Sequence, residues 1–311
     1  MAESHGHAHG PGAHAGHSHA PADFGRAFLI GTILNTGFVI VEATFGILAN
    51  SMALLADAGH NLSDVAGLLV AWGAASLAKR GPTRHYTYGF RRSSILAALF
   101  NAIFLLVAIG AIGFEAIQRF ANPEPVSSAT VIIVAAIGIA INTVTALLFA
   151  RGRKGDINIR GAYLHMAADA AVSAGVVVAG LVIAKTGWFW LDPLTSLAIV
   201  AVIFIGTWGL LKDSVGMSLD RVPAGIPPAD VEQMLAALPG VERVHDLHIW
   251  GMSTTEVAMT CHLVMPGGTA GDQFLHETSA ALEERFGIAH TTIQVETGDE
   301  ADCDQAPDTV V

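Results

Sequence analysis

Six stretches of roughly 20 or more mostly apolar residues occupy much of this chain, at about 26–48, 52–78, 93–119, 127–150, 161–185 and 192–212. Each is long enough to cross a bilayer as a helix. In hydrocarbon the backbone must satisfy its own hydrogen bonds, so segments of this kind have little choice but to be helices packed on one another. Apolar residues make up 52% of the chain and charged residues 14%, which points to a multi-span membrane protein rather than a soluble enzyme. No charged-then-apolar leader precedes the first stretch, so the N-terminus is expected to be retained.

The connecting segments give an orientation. Lys79, Arg80, Arg84, Arg91 and Arg92 cluster between the second and third stretches, and Arg151, Arg153, Lys154 and Arg160 between the fourth and fifth. The alternate connections, around Asn50, Asn122 and Gly187, carry only isolated basic residues such as Arg119 and Lys185. The positive-inside rule then places both termini in the cytoplasm. Asn122-Pro-Glu-Pro125 reads as a turn.

After the sixth stretch the charge balance changes. From Gly216 onward there are 16 acidic and 3 basic residues, a balance of −13, against 11 acidic and 13 basic before it, or +2. The two sum to the net −11. An acidic soluble domain following a slightly basic membrane domain argues against nucleic acid and suits the attraction of cations. The only cysteines, Cys261 and Cys303, give no disulfide framework, as a reducing cytoplasm requires. The chain divides into a His-rich tail at 1–22, a transmembrane domain at 23–214, a cytoplasmic metal-binding and dimerisation domain at 215–299 and an acidic tail at 300–311. The first tract sets His5, His7, His9, His14, His17 and His19 among Gly, Ala, Ser and Pro, and reads as a disordered, loose metal-collecting arm.

Two segments carry the chemistry: His60-Asn-Leu-Ser-Asp64 and His165-Met-Ala-Ala-Asp169. Residues i and i+4 share a helix face, so each helix offers an imidazole and a carboxylate side by side. Two such helices face to face supply four N and O ligands, the number Zn²⁺ prefers. Intramembrane helix-packing contacts are worth only about 1 kcal/mol, a poor return for burying carboxylates in lipid. Asp57, His60, Asn61 and Asp64 follow i, i+3, i+4, i+7 and make one polar stripe; Ser173 extends the matching stripe around His165 and Asp169. Metal needs neutral imidazoles and ionised carboxylates, so metal and protons compete there. Without a Walker A loop, proton-coupled antiport is the expected mode of energy coupling. Glu42, Asn35, Asn101 and Asn142 are further intramembrane polar groups that suit helix packing or pathway lining equally.

The soluble part reads α-β-β-α-β: a helix over Pro228–Leu238, strands over Val244–Met252 and Glu256–Met265 as a hairpin, a helix over Gly271–Phe286 and a strand over Thr291–Glu296. Strict alternation in the first strand would put His245, Leu247 and Ile249 opposite Asp246, His248 and Trp250. A domain of about 80 residues has a marginal core, which favours dimerisation.

Several of these features together resemble the cation diffusion facilitators, of the zinc-type branch with CzcD- and ZitB-like members. They are the His-rich start, the run Asn50-Ser-Met-Ala-Leu-Leu-Ala-Asp-Ala-Gly-His-Asn-Leu-Ser-Asp64, His165-x-x-x-Asp169, Tyr88-Gly-Phe-Arg91, His245-Asp-Leu-His-Ile-Trp250 and Thr292-Ile-Gln-Val-Glu296. The resemblance implies a homodimer of six-helix protomers with ferredoxin-like α+β cytoplasmic domains in the cell (inner) membrane. It also implies export of divalent metal, chiefly Zn²⁺ with Co²⁺ and Cd²⁺ tolerated, in exchange for protons. Its transport-site positions fall on His60, Asp64, His165 and Asp169. It further implies zinc as a structural or regulatory ligand of the cytoplasmic domain, on His245, His262 and Glu296, with Asp246 and His276 as additional candidates. His248 and His290 are left outside that set.

Two features depart from the pattern. The segment Lys79–Arg92 has His85 alone, no carboxylate and dense positive charge, so no second metal is expected there; its basic residues suit topology and anionic headgroups. Cys303, flanked by Asp302 and Asp304, should stay a thiol and is a weak ligand candidate. A membrane-embedded metal sensor is the alternative reading, and an intramembrane zinc hydrolase a lesser one, with neither His-Glu-x-x-His nor an open coordination position to support it.

Overall fold

The structure is a computed structural model, and it describes residues 26–78, 80–150, 157–267, 271–298, 303 and 305. The His-rich tail and most of the acidic tail, like Arg151, Arg153 and Lys154, lie outside the described residues. Six long helices come first: α1 (Arg26–Leu48), α2 (Met52–Ala78), α3 (Ser93–Ala121), α4 (Ser128–Ala150), α5 (Ile157–Thr186) and α6 (Leu191–Ser218). Each coincides with one apolar stretch of the sequence. Among the described residues, Ser93–Ala121, Ser128–Leu147, Tyr163–Thr186 and Leu191–Ser218 are long and apolar enough to cross a membrane, and Thr32–Leu48 is a shorter apolar helix.

α2 packs against α1, α3, α5 and α6, and α4 lies along α5. Their shared core gathers Phe38, Leu54, Ile109, Val131, Val176 and Ile199. Small residues set the spacing. A Cβ on Gly138 of α4 would fall 2.7 Å from the Phe38 ring of α1 and 3.2 Å from Ser173 Oγ of α5, so glycine brings these three helices together.

The turn from α1 to α2 passes through Asn50 at φ 54°, a left-handed conformation that asparagine tolerates. Arg119 of α3 pins it, donating from Nη1 to the Asn50 backbone oxygen at 3.1 Å and to its Oδ1 at 2.5 Å. Asp192, in the first turn of α6, then caps α2. It accepts from Ser51 Oγ at 2.5 Å, from the Met52 amide at 2.6 Å and from the Ala53 amide at 3.4 Å. These amides have no intrahelical partner, so a carboxylate is well placed there on both hydrogen-bonding and dipole grounds. Asp192 went unremarked in the sequence, where its signal was an Asp-Pro pair opening the last apolar stretch.

The remainder folds as α7 (Pro228–Ala236), β1 (Arg243–Gly251), β2 (Val257–Val264), α8 (Asp272–Phe286) and β3 (Ile288–Glu296). This is the element order that the sequence indicates. β2 is central, antiparallel to β1 and parallel to β3. The parallel pair requires a crossover, which α8 supplies. Val231, Leu235, Met259, Leu263, Leu282 and Ile288 form the core beneath the sheet.

β1 departs from strict alternation. Its register shifts between His245 and His248, and Asp246 sits at φ 52°. A bulge of this kind re-aims side chains beside a site. Here it turns Asp246 to face both His248 and His262.

The two parts meet through the basic segment before α3. Arg91 pairs with Glu256, Arg92 with Asp220, and the Thr254 amide donates to Ser94 Oγ at 3.1 Å. At least these two arginines bind protein carboxylates, where the sequence had suggested topology and lipid. His85, in the same segment, is exposed.

Candidate metal centres

α2 and α5 bring their His–Asp pairs together. His60 Nε2 lies 3.1 Å from Asp169 Oδ1, and His165 Nε2 lies 3.1 Å from Asp64 Oδ2. Within each helix the pairs are looser, 4.0 Å for His60–Asp64 and 3.8 Å for His165–Asp169. The imidazoles meet edge to face with centroids 6.0 Å apart. Donor atoms of His60, Asp64 and Asp169 all fall within 4.8 Å of one another.

Each histidine thus reaches across to the other helix's carboxylate, with His165 joined to the group through Asp64 and Asp169. Asp169 Oδ2 is buried and makes no hydrogen bond among the described residues. An oxygen left this way suits a cation. Asp169 is almost fully buried, whereas 43% of the His165 side chain is exposed, so the cluster has one open flank.

The second cluster lies on the soluble sheet. β1 and β2 set His245 opposite His262, and their rings stack edge to face at 4.9 Å. Glu296, at the end of β3, reaches both: Oε2 is 2.9 Å from His245 Nε2 and Oε1 is 2.9 Å from His262 Nδ1. Cys303 Sγ lies 3.7 Å from the same His262 nitrogen. Ligand atoms of His245, His262, Glu296 and Cys303 fall within 4.8 Å of one another. Two nitrogens, an oxygen and a sulfur suit a borderline-soft dication such as Zn²⁺. A cavity of about 350 Å³ lined by Asp246, His248, Cys261, His262, Gln294 and Gln305 opens beside them and offers a way in.

Electrostatics sharpen this picture. Burial raises the Glu296 carboxyl, but hydrogen bonds from His245, Cys303 and Gln294 outweigh it and hold the group below its usual value. The Cys303 thiol is pushed up, first by desolvation and then by the charges of Glu296 and Asp246, against a lowering hydrogen bond from the Gln305 backbone. Buried Cys261 is pushed up to about 12 by burial and by Asp246, which keeps it an inert thiol.

The sequence candidates for this cluster divide. His245, His262 and Glu296 come together, and Cys303, weighed as a weak candidate, joins them. Asp246 stands one shell out, its Oδ2 3.5 Å from His262 Nε2, the ring nitrogen turned away from Glu296, and its Oδ1 2.8 Å from His248 Nε2. A carboxylate at that position can orient the His262 ring through its other nitrogen. His276 is exposed on α8, outside the cluster.

Comparison with known proteins agrees with this architecture. A family model described as the cation efflux transmembrane domain matches residues 28–217, and one described as the cation efflux protein cytoplasmic domain matches residues 225–298. The chain is 36% identical over 287 residues to a cadmium, cobalt and zinc/H(+)-K(+) antiporter of Bacillus subtilis, covering 91% of this chain and 92% of that one. It is 36% identical over 294 residues to the metal cation efflux system protein CzcD of Cupriavidus metallidurans, covering 94% and 92%. It is also 36% identical over 299 residues to the zinc transporter ZitB of Escherichia coli, covering 95% and 93%. Among solved structures, the metal-bound C-terminal domain of the C. metallidurans CzcD transporter matches at 36% identity, covering 23% of this chain and 99% of that one, with a TM-score of 0.22. These relatives are metal transporters and not enzymes. With its transmembrane domain, its cytoplasmic domain and this kinship over nearly its whole length, the chain belongs to the cation efflux family, the cation diffusion facilitators that its motifs resemble.

Proposed function

We propose that this transporter exports divalent metal, chiefly Zn²⁺ with Co²⁺ and Cd²⁺ as further substrates, in exchange for protons. Metal binds between α2 and α5 on His60, Asp64, His165 and Asp169. The observation that carries this reading is the cross-helix pairing of those side chains, His60 with Asp169 and His165 with Asp64, with a buried oxygen of Asp169 left without a donor. The names of the relatives, which include zinc, cadmium and cobalt transporters, support the choice of substrate. Two imidazoles and two carboxylates hold a dication as a nearly neutral unit, which lowers the cost of carrying it through lipid. They bind it only when both imidazoles are free of protons, so protonation from one side displaces metal bound from the other.

The same reading makes all six long helices membrane spans, with both termini in the cytoplasm of a cell whose inner membrane holds the protein. Domains run over 23–214 and 215–299, between the His-rich arm at 1–22 and the acidic tail at 300–311. The αββαβ unit is ferredoxin-like and pairs two copies into a homodimer. His245, His262, Glu296 and Cys303 hold a resident zinc, with Asp246 orienting His262 and His276 outside the set. When bound, that ion ties three strands and the following segment together.

The deciding experiment is metal flux into proteoliposomes under an imposed pH gradient. Wild type should move zinc in proportion to the gradient. Asp64→Ala and Asp169→Ala should bring flux down to that of empty liposomes. Zinc flux indifferent to the gradient would overturn proton coupling, and active alanine variants would overturn the site. Absence of flux from wild type would favour a sensor.

A further inference from the structure

A second acidic group lies one helical turn from the metal site, and nothing in the transport reading uses it. Glu42 of α1 and Asp57 of α2 are both 0% exposed. Each carboxylate has one oxygen satisfied: Asn61 Nδ2 donates to Glu42 Oε2 at 2.9 Å, and Ser173 Oγ donates to Asp57 Oδ2 at 3.0 Å. The other two oxygens, Glu42 Oε1 and Asp57 Oδ1, have no donor among the described residues. Asn61, which holds Glu42 Oε2, follows Asp57 by four residues on α2, so the two carboxyl groups lie against the same side of that helix.

The surroundings supply little compensating charge. The nearest titratable groups along these helices are His60, three residues beyond Asp57 on α2, and Asp169, four residues before Ser173 on α5. Beyond them on the same helices lie Asp64 and His165. α4, packed on α1 and α5, brings the uncharged Asn142 and Thr145 as buried polar groups. On α6, Asp192 is committed to the start of α2. On α3, Glu115 and Arg119 pair with each other beside the Asn50 turn.

Two carboxylates side by side and away from water cannot both stay ionised without cost. Each orphaned oxygen needs a partner, and the two orphans belong one to each residue. A single proton between them satisfies both at once and halves the buried charge. We propose that Glu42 and Asp57 hold one proton between them, as a proton-binding site separate from the metal ligands. Its position gives it a role. Asp57 precedes His60 by three residues, and Ser173 follows Asp169 by four, so the pair sits about 5 Å along the helices from the metal site. A dication arriving there disfavours the proton, which leaves for water, and departure of the metal restores it. The proton site itself stands on the geometry; its part in antiport rests on the exporter reading. There, one counter-carried proton rides on this pair instead of on a metal ligand.

Infrared spectroscopy of the full chain in detergent, metal-free and at neutral pH, tests this directly. Wild type should show the C=O stretch of a protonated carboxyl, sensitive to deuterium exchange, and both Glu42→Gln and Asp57→Asn should lack it. On titration with zinc in weak buffer, protons released per metal should fall by about one in either variant and no further in the double variant, because one proton is shared. Zinc affinity should change by less than the roughly tenfold that loss of an outer-shell partner brings. Absence of the band from wild type, or its survival in both variants, would overturn the proposal. So would a larger loss of affinity, which would make the pair a metal ligand. If Glu42→Gln fails to fold, the wild-type spectrum and Asp57→Asn still decide. A wild type with the band but without zinc flux in liposomes would count against the exporter reading and leave the proton pair in place.

Discussion

Asp192 is 1% exposed, yet its hydrogen bonds all go to neutral groups at the start of α2. Its contribution is therefore to one helix end, where buried amides and a hydroxyl would otherwise have no partner. Asp192→Ala should lower stability by about 2 kcal/mol, the range for losing a charged acceptor from buried donors, and Asp192→Asn by less. Thermal unfolding in detergent would show this, and equal midpoints for wild type and alanine would mean that α2 does not depend on the cap. The two cysteines offer a second contrast. Cys261 is buried, with a thiol pushed up to about 12, so at pH 8 it presents almost no thiolate. Cys303 is only partly buried and touches His262. Iodoacetamide at pH 8 should modify Cys303 first, added zinc should slow that reaction, and Cys261 should react only on unfolding. Mass spectrometry of the labelled chain would read the order. Labelling of Cys303 that zinc leaves unchanged would remove it from the ligand set.

At the scale of elements, the junction between the helices and the soluble domain is made of weak parts. Arg91 and Glu256 are each about 40% exposed, so their pairing is worth roughly 0.2–1 kcal/mol. A double-mutant cycle should find a coupling of that size: Arg91→Glu and Glu256→Arg each lower the thermal midpoint slightly, and the combined reversal restores it. A coupling indistinguishable from zero would leave the junction to Arg92–Asp220 and the backbone contact at Ser94. The sequence made the helices legible because hydropathy over a span is a local property, and all six apolar stretches became helices with ends shifted by a few residues. His60, Asp64, His165 and Asp169 were legible for the same reason, since i and i+4 on a helix fix a common face. Features that depend on the meeting of distant segments were harder to read. The bulge in β1 breaks a period that the residues themselves do not mark as broken, and so Asp246 reaches His262 as well as His248. Cys303 reaches His262 from beyond the last strand, a contact that no spacing announces. Glu42 meets Asn61 across two helices, and sequence showed only that each was polar in an apolar run.

For the molecule as a whole, the two clusters make separable demands on one kind of ion. On the proposed exporter reading, the α2–α5 cluster should bind metal only transiently, because it must also release it. The cytoplasmic cluster joins β1, β2, β3 and the segment at Cys303, in a domain whose small core leaves a tethering ion much to stabilise. Binding to the folded form alone raises stability by RT ln(1 + [L]/Kd), about 2.7 kcal/mol at a hundredfold excess over Kd. Zinc should therefore raise the thermal midpoint of the full chain in detergent, and a chelator should lower it again. The variants separate the sites. His245→Ala and Glu296→Ala should lose most of that shift while keeping flux above background, because the α2–α5 ligands are intact. Asp64→Ala should keep most of the shift and lose flux. Equal shifts in all three variants would mean that neither cluster accounts for the stabilising ion. Flux lost alongside the shift in His245→Ala would mean instead that the cytoplasmic ion is required for transport, with Arg91–Glu256 and Arg92–Asp220 as the physical link between the two domains.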